Sequence, residues 1–422
     1  MRILLVNTSE KKGGAAVACR RLMTALKDED VEVCMLVRDR QTDDTSVVPL
    51  PKSWRHRWHF LRERLTIWFH NLFEWKNLFA VDIASKGWDI TRMDEFMQAD
   101  IIHLHWINQG MISLKVLNKI LDSGKPVVWT MHDMWPLTGI CHHARNCDGY
   151  YKACGQCPYL RIKYLRNDLS HQVFNKKSDI YNRHSITFIG CSEWICQETG
   201  KSALAKEQKI IHIPNAIDMQ IFHKEDKMFA RKLMGLPQDM KLILFGSAKI
   251  TDKRKGIDYF VSACHHVLQM APELKDQIGV VVFGKHSEEL NHLIPFTVYP
   301  MNYIKEDNRL VELYNAVDVF VTPSLEENLP NIIMEAMACG TPCVGFQIGG
   351  IPEMIEHRHN GYVARYKDAE DLASGILWTL QENSSCRLSE EAMKYVQEHY
   401  DQANIARLHI DLYKSLLKDH EK

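Results

Sequence analysis

Short apolar runs alternating with amphipathic stretches constrain this chain more than any other feature, because they fit a parallel sheet wrapped by helices on both faces. Residues 3–6, 31–37, 101–105, 127–131, 186–191 and 210–213 read as strands of one domain, and residues 242–245, 278–283 and 317–321 as strands of another. At 422 residues the chain exceeds one ordinary core, which predicts two or three domains. Residues 1–7 are apolar with one basic residue, too short for an export signal, and read as a first strand. No apolar run approaches the roughly 20 residues of a membrane span. With 45% hydrophobic and 25% charged residues, the composition is that of a soluble globular protein. A net charge of −1 gives no pull toward nucleic acid, which is not expected as a partner.

Residues 322–345, TPSLEENLPNIIMEAMACGTPCVG, concentrate the chemistry. The run 317–321 leads in as a strand, the chain turns at Pro323, and a helix starts after Pro330. Glu327 then lies in the loop and Glu335 inside the helix. Both belong near the carboxyl edge of a parallel strand, where open α/β sheets bind ligands, and the helix start offers unpaired N–H groups to an anion.

With PS before it and EAMACGTP after it, this spacing resembles the E-x7-E signature of retaining glycosyltransferases of family 4. The resemblance implies Glu327 at the donor sugar, with Asn328 and Leu329 beside it in the donor loop, and Glu335 on the nucleotide ribose. It spans nearly the whole chain and is strongest over 211–361. The implied fold is α/β of the GT-B kind: two facing doubly wound Rossmann-like domains with an interdomain cleft. The segment IHIPNAIDMQIF resembles the family's P-N-G-x-D crossover between domains, with Ala216 in place of Gly. The boundaries that follow are 1–215 for an acceptor-side domain, 216–395 for a nucleotide-sugar domain, and 396–422 for a final helix returning to the first.

Two further loops suit a diphosphate. Gly13 and Gly14 follow the first strand and open a helix, where a backbone can approach a ligand closely. Two adjacent glycines are as often a simple turn; the resemblance places such a loop against donor phosphate and acceptor. Past the strand at 242–245, Lys249, Lys253, Arg254 and Lys255 precede Gly256. Two cations would neutralise a departing nucleoside diphosphate. Lys255 matches the family's lysine, and either Lys249 or Arg254 stands where the family has its arginine. His132 ends the strand 127–131, and the resemblance puts a histidine here near donor sugar and acceptor. Asp133 reads as a turn cap, and His103 and His105, on one face of a strand, as core or supporting residues.

Cys141, Cys147, Cys154 and Cys157 form a C-x5-C-x6-C-x2-C knuckle over 141–157. A structural zinc with four thiolate ligands is the preferred reading; two disulfides are the alternative. The stretch 161–183 is basic and reads as an exposed helix, or as a patch for an acceptor diphosphate. Residues 52–79 hold six Lys/Arg against two Glu, and four of the ten tryptophans. Trp54, Trp58, Leu61, Leu65, Trp68, Leu72 and Trp75 recur at helical spacing. Such a helix either lies in a membrane interface or packs on the first domain with its cations outward.

The resemblance implies transfer of a sugar from a nucleoside diphosphate sugar to the hydroxyl of a saccharide or lipid-linked saccharide, with retained configuration. Surface polysaccharide synthesis is the expected setting: capsule, O-antigen or exopolysaccharide. The leaving phosphate takes the acceptor's proton, so no catalytic cofactor is expected, and the cleft motifs hold no D-x-D pair. A nucleotide-sugar epimerase or a non-catalytic binding protein are the alternatives. The expected location is cytoplasmic, peripheral at the inner face of a membrane if the Trp-rich helix touches lipid.

Overall fold

A computed structural model describes residues 1–51, 53–161, 166–382 and 386–420. Lys52, counted above among the cations of 52–79, and Lys163 of the basic stretch lie outside them. The chain divides into two compact units, Met1–Ala216 with Ala403–Lys422, and Ile217–Gln402.

The first unit holds a seven-stranded sheet in the order β3-β2-β1-β4-β5-β6-β7. The strands are β1 (Arg2–Ser9), β2 (Glu32–Asp39), β3 (Val47–Pro49), β4 (Ile101–Leu104), β5 (Val127–Met131), β6 (Thr187–Gly190) and β7 (Lys209–His212). Every pairing is parallel. Helices cover both faces, so β4, β5 and β6 are buried along their whole length and read as continuous apolar runs. Leu4, Val6, Ile102 and Trp129 enter the core on one face; Ile3, Leu5, Ile101 and Val128 enter the other. That second core includes Ile405, Ala406, Ile410 and Tyr413 from the helix Gln402–His420.

The second unit repeats the plan with six parallel strands in the order β10-β9-β8-β11-β12-β13. These are β8 (Lys241–Lys249), β9 (Ile278–Lys285), β10 (Thr297–Met301), β11 (Val319–Thr322), β12 (Cys343–Phe346) and β13 (Gly361–Ala364). In both sheets the strand order reverses beside the first strand of the unit. These switch points, β1/β4 and β8/β11, are where doubly wound sheets open a crevice at their carboxyl ends.

Three expectations need correction. The final helix expected over 396–422 draws on two, Arg387–Tyr400 and Gln402–His420, because Asp401 turns extended and pairs with Ile217. The chain passes from the second unit back to the first there. The basic stretch 161–183 is not simply exposed. Its helix Leu169–Tyr181 buries Lys177, whose Nζ donates to the carbonyls of Trp135 at 2.5 Å and Thr138 at 2.9 Å and lies over the Trp135 ring. Finally, the helix Trp54–His70 inverts the usual pattern: Glu63 and Arg64 are buried, while Trp54, Trp58, Leu61, Leu65 and Phe69 face outward. Arg64 donates to the carbonyls of Leu78 and Val81 and pairs with Asp82 at 3.1 Å. Glu63 accepts from the N–H groups of Ile83 and Ala84. Burial and the neighbouring Asp82 push the Glu63 carboxyl up to about 9.

Candidate active site

At the β8/β11 switch point two loops are knit together. The turn Lys253–Lys255 ends at Gly256, whose φ of 72° is left-handed. A Cβ there would stand 1.8 Å from the Pro323 carbonyl oxygen, so only glycine admits this approach. Leu325 N–H donates to the Arg254 carbonyl at 2.7 Å. Across this seam Lys255 Nζ pairs with Glu327, and Ser324 Oγ donates to the same carboxylate oxygen at 3.1 Å. Gly349, also left-handed at φ 56°, presses against the Glu327 carbonyl, and Gly350 N–H donates to the Asn328 carbonyl at 2.8 Å. Glu327 is thereby fixed by two segments distant in sequence, 253–256 and 349–350, and by Ser324 of its own loop.

Asn328 and Leu329 are buried in the same loop. The Arg254 guanidinium is engaged by Asp252 at 2.7 Å, and Lys249 ends β8 opposite Lys285. Glu335 lies in the helix Asn331–Ala338, buried, and accepts from the Tyr314 hydroxyl at 2.9 Å. The structure thus joins Lys255 and Glu327 directly and holds Arg254 apart by its own acid. Ser324, Tyr314 and Gly349 as supports of the two acids were missed in the sequence. Nothing local marks Tyr314, which reaches Glu335 only through packing of neighbouring helices.

In the first unit, Gly13 precedes the helix Gly14–Asp28 with φ 94°, and an added Cβ would meet nothing within 4 Å. Glycine is needed here for its backbone, and the space beside it is open. His132 leaves the end of β5, its Nε2 2.9 Å from His105 Nδ1. The His105 ring packs against His103 at a tilt of 30°, with centroids 4.4 Å apart. His103 in turn meets the Tyr413 hydroxyl at 2.6 Å and the Thr130 hydroxyl at 2.8 Å. His105, His132, Thr130 and His409 line a cavity of about 10 Å³. Burial pulls His132 down to about 4 and His103 and His105 well below the usual histidine range. All three are neutral imidazoles at physiological pH. Burial alone would raise Asp133; the adjoining His142, 2.7 Å away, outweighs it and holds the carboxyl at about 2. Asp133 also accepts from Trp106 Nε1 and from Trp135 N–H, so it caps its turn and ties it to the knuckle.

The four knuckle cysteines line one cavity and are free thiols. Burial raises Cys141, Cys154 and Cys157 to about 12. Among the described residues no three His, Cys, Asp or Glu side chains are grouped so as to hold a metal ion.

Residues 12–221 match the family model Glycosyltransferase Family 4, and residues 240–382 match the model Glycosyl transferases group 1. An uncharacterised glycosyltransferase of Methanocaldococcus jannaschii is 30% identical over 370 residues, covering 80% of this chain and 90% of its own. The putative colanic acid biosynthesis glycosyl transferase WcaC of Escherichia coli is 24% identical over 61% of this chain and 62% of its own. Among solved structures, Anabaena HepE in complex with UDP and glucose superimposes with a TM-score of 0.66 at 17% identity, over 98% of this chain and all of its own. The two parallel sheets are those of the GT-B fold. The chain is a nucleotide-sugar-dependent glycosyltransferase and belongs to the group 1, family 4 glycosyltransferases.

Proposed function

We propose that the protein transfers a hexose from a nucleoside diphosphate sugar to a hydroxyl of a saccharide, free or lipid-linked, with retention, in surface polysaccharide synthesis. The observation that carries the reading is the Lys255–Glu327 pair, fixed at the carboxyl edge of the second sheet by Gly256 and Gly349. In this reading the second unit holds the donor. Glu335 takes the ribose hydroxyls, Lys255 with Lys249 or Arg254 takes the diphosphate, and Glu327, Asn328 and Leu329 take the hexose. His132 and the Gly13–Gly14 loop of the first unit serve the sugar and the acceptor. The acceptor oxygen forms its bond to the anomeric carbon on the face from which the diphosphate leaves, and the departing phosphate oxygen takes the acceptor's proton. The cations stabilise the charge that grows on that oxygen. A UDP sugar is favoured as donor by the likeness to HepE, and a polysaccharide setting by the likeness to WcaC. Twelve free cysteines suit a reducing, cytoplasmic location.

The test is Glu327→Ala assayed for transfer from UDP sugars. Transfer should fall by at least about 10³-fold, on the order of 4 kcal/mol of barrier, with the fold intact by circular dichroism. Undiminished turnover overturns the assignment, and epimerised donor in the absence of any acceptor favours the epimerase instead. The knuckle's part in this reading is structural. A zinc ion would draw the four thiolates together and cross-link the loop after β5. Elemental analysis should find one zinc per chain, lost in Cys154→Ser/Cys157→Ser; a folded, zinc-free protein removes the ion from the account.

A further inference from the structure

The outward face of the helix Trp54–His70 needs an occupant. Trp54, Trp58, Leu61, Leu65 and Phe69 recur every three or four residues, so they share one side of the helix, and each is 46–68% exposed. Phe73 and Trp75 continue the surface beyond the helix end, Phe73 packing edge-on against Phe69 with centroids 5.7 Å apart. An exposed apolar area of this extent marks an interaction site.

The opposite side of the helix is bound firmly. The Glu63–Arg64–Asp82 network and buried Ile67 hold it to the first unit, so the aromatic stripe cannot roll inward without stranding three buried ionisable groups. Charge selects the occupant. At helical spacing Arg57 and Arg62 flank the stripe, one on each side, and both are exposed; His70 and Lys76 are exposed at its far end. Arg161 is exposed as well, and its backbone N–H donates to Asn71 at 2.7 Å, beside the same end of the helix. Between residues 54 and 79 the described residues include no exposed acid: Glu63 is buried and Glu74 half-buried. Among the described residues no helix is long and apolar enough to cross a membrane.

We propose that this face docks on an anionic lipid bilayer, the helix lying in the plane of the headgroups with its aromatic stripe in the acyl boundary. Trp rings suit that depth, where one edge is apolar and the other wet, and flanking arginines reach lipid phosphates. A protein partner is disfavoured by the same composition, since a stripe bordered on both sides by cations complements a uniformly negative surface. The proposal stands on the surface itself and rests on the proposed transfer only for its use: it would hold the enzyme where a lipid-linked acceptor lies.

Co-sedimentation of the full chain with phosphatidylglycerol/phosphatidylcholine vesicles tests it without reference to activity. Binding is expected with a blue shift of tryptophan emission, and should weaken as salt is raised. Arg57→Glu/Lys76→Glu should weaken it by about fivefold or more per cation. Trp58→Glu/Leu65→Glu should abolish it, with circular dichroism and melting temperature unchanged because both side chains are exposed. No binding to anionic vesicles, or equal binding by the Trp58→Glu/Leu65→Glu variant, overturns the proposal. So does lipid-free dimerisation that this variant removes, which would make a second copy the occupant.

Discussion

His132 and His105 stand 2.9 Å apart through Nε2 and Nδ1, and one proton lies between them. His105 Nε2 has no partner among the described residues. A buried N–H without an acceptor is the worse of the two outcomes, which leaves that nitrogen bare and places the His105 proton on Nδ1. His132 then accepts at Nε2 and carries its proton on Nδ1, so under the proposed function the group it would offer the sugar or acceptor is a donor. His105 is on this account a positioning residue. His105→Phe should lower kcat by about tenfold, near 1.4 kcal/mol, with KM for the donor nearly unchanged. The ¹⁵N shifts of His132 should also lose their single-tautomer signature. A kcat within twofold of wild type would show that His132 needs no such partner. His132 itself was legible in the sequence, as a histidine at a strand's carboxyl end. Its tautomer was not, because it depends on the ring of His105, just past the end of another strand.

At the scale of elements, every strand whose sequence is a distinct apolar run was readable. The four that were not are β3, β10, β12 and β13. β3 is three residues long and ends in Pro49, and β12 is the CVGF that directly follows the GTP turn, so neither shows a period of its own. The stripe of the helix Trp54–His70 was readable at Trp54, Trp58, Leu61 and Leu65, but Trp68 turns half inward with Phe69 outside, and Leu72 and Trp75 lie beyond the helix end; periodicity reveals a face without saying what covers it. Its direction is decided by Asp82, which lies beyond the helix and supplies the buried partner of Arg64. Lys177 teaches the same lesson with the sign reversed, a cation in a basic stretch that turns out to be wholly buried. It ties the helix Leu169–Tyr181 to the carbonyls of Trp135 and Thr138, in the segment between His132 and the knuckle. Lys177→Met leaves both acceptors unsatisfied, at about 1–3 kcal/mol each. Denaturant melts should show a loss of that order, and an unchanged midpoint would mean that the segment finds other donors.

For the molecule as a whole, the buried imidazoles set an acid limit. His132 and His409 are held at about 4, and His103 and His105 lie well below the usual range, all by burial. Each takes up a proton on unfolding below about pH 6.5 but resists it in the fold. Their stabilising contribution is complete above pH 6.5 and is lost as pH falls toward 4. All four contributions have the same sign, so they act together as pH falls. Glu63, protonated in the fold, opposes the trend but counts once. The melting temperature should therefore drop steeply between pH 6.5 and 4.5, and a flat profile would indicate that the histidines charge without unfolding.

The return of the chain at Asp401 gives the first unit a discontinuous core, and this fixes an order of events on the ribosome. His103 emerges 310 residues before Tyr413, whose hydroxyl it meets. All of the second unit, Ile217–Gln402, is made in the interval. The nascent first sheet must wait with one face only partly covered, by the helix Gly14–Asp28 and without Ile405, Ala406, Ile410 and Tyr413, while the second unit can close as soon as its own last helix is free. A stop codon anywhere after Gln402 and before Tyr413 would release a polypeptide with a finished second unit and an unfinished first, a product fit for the cell's proteases rather than for catalysis.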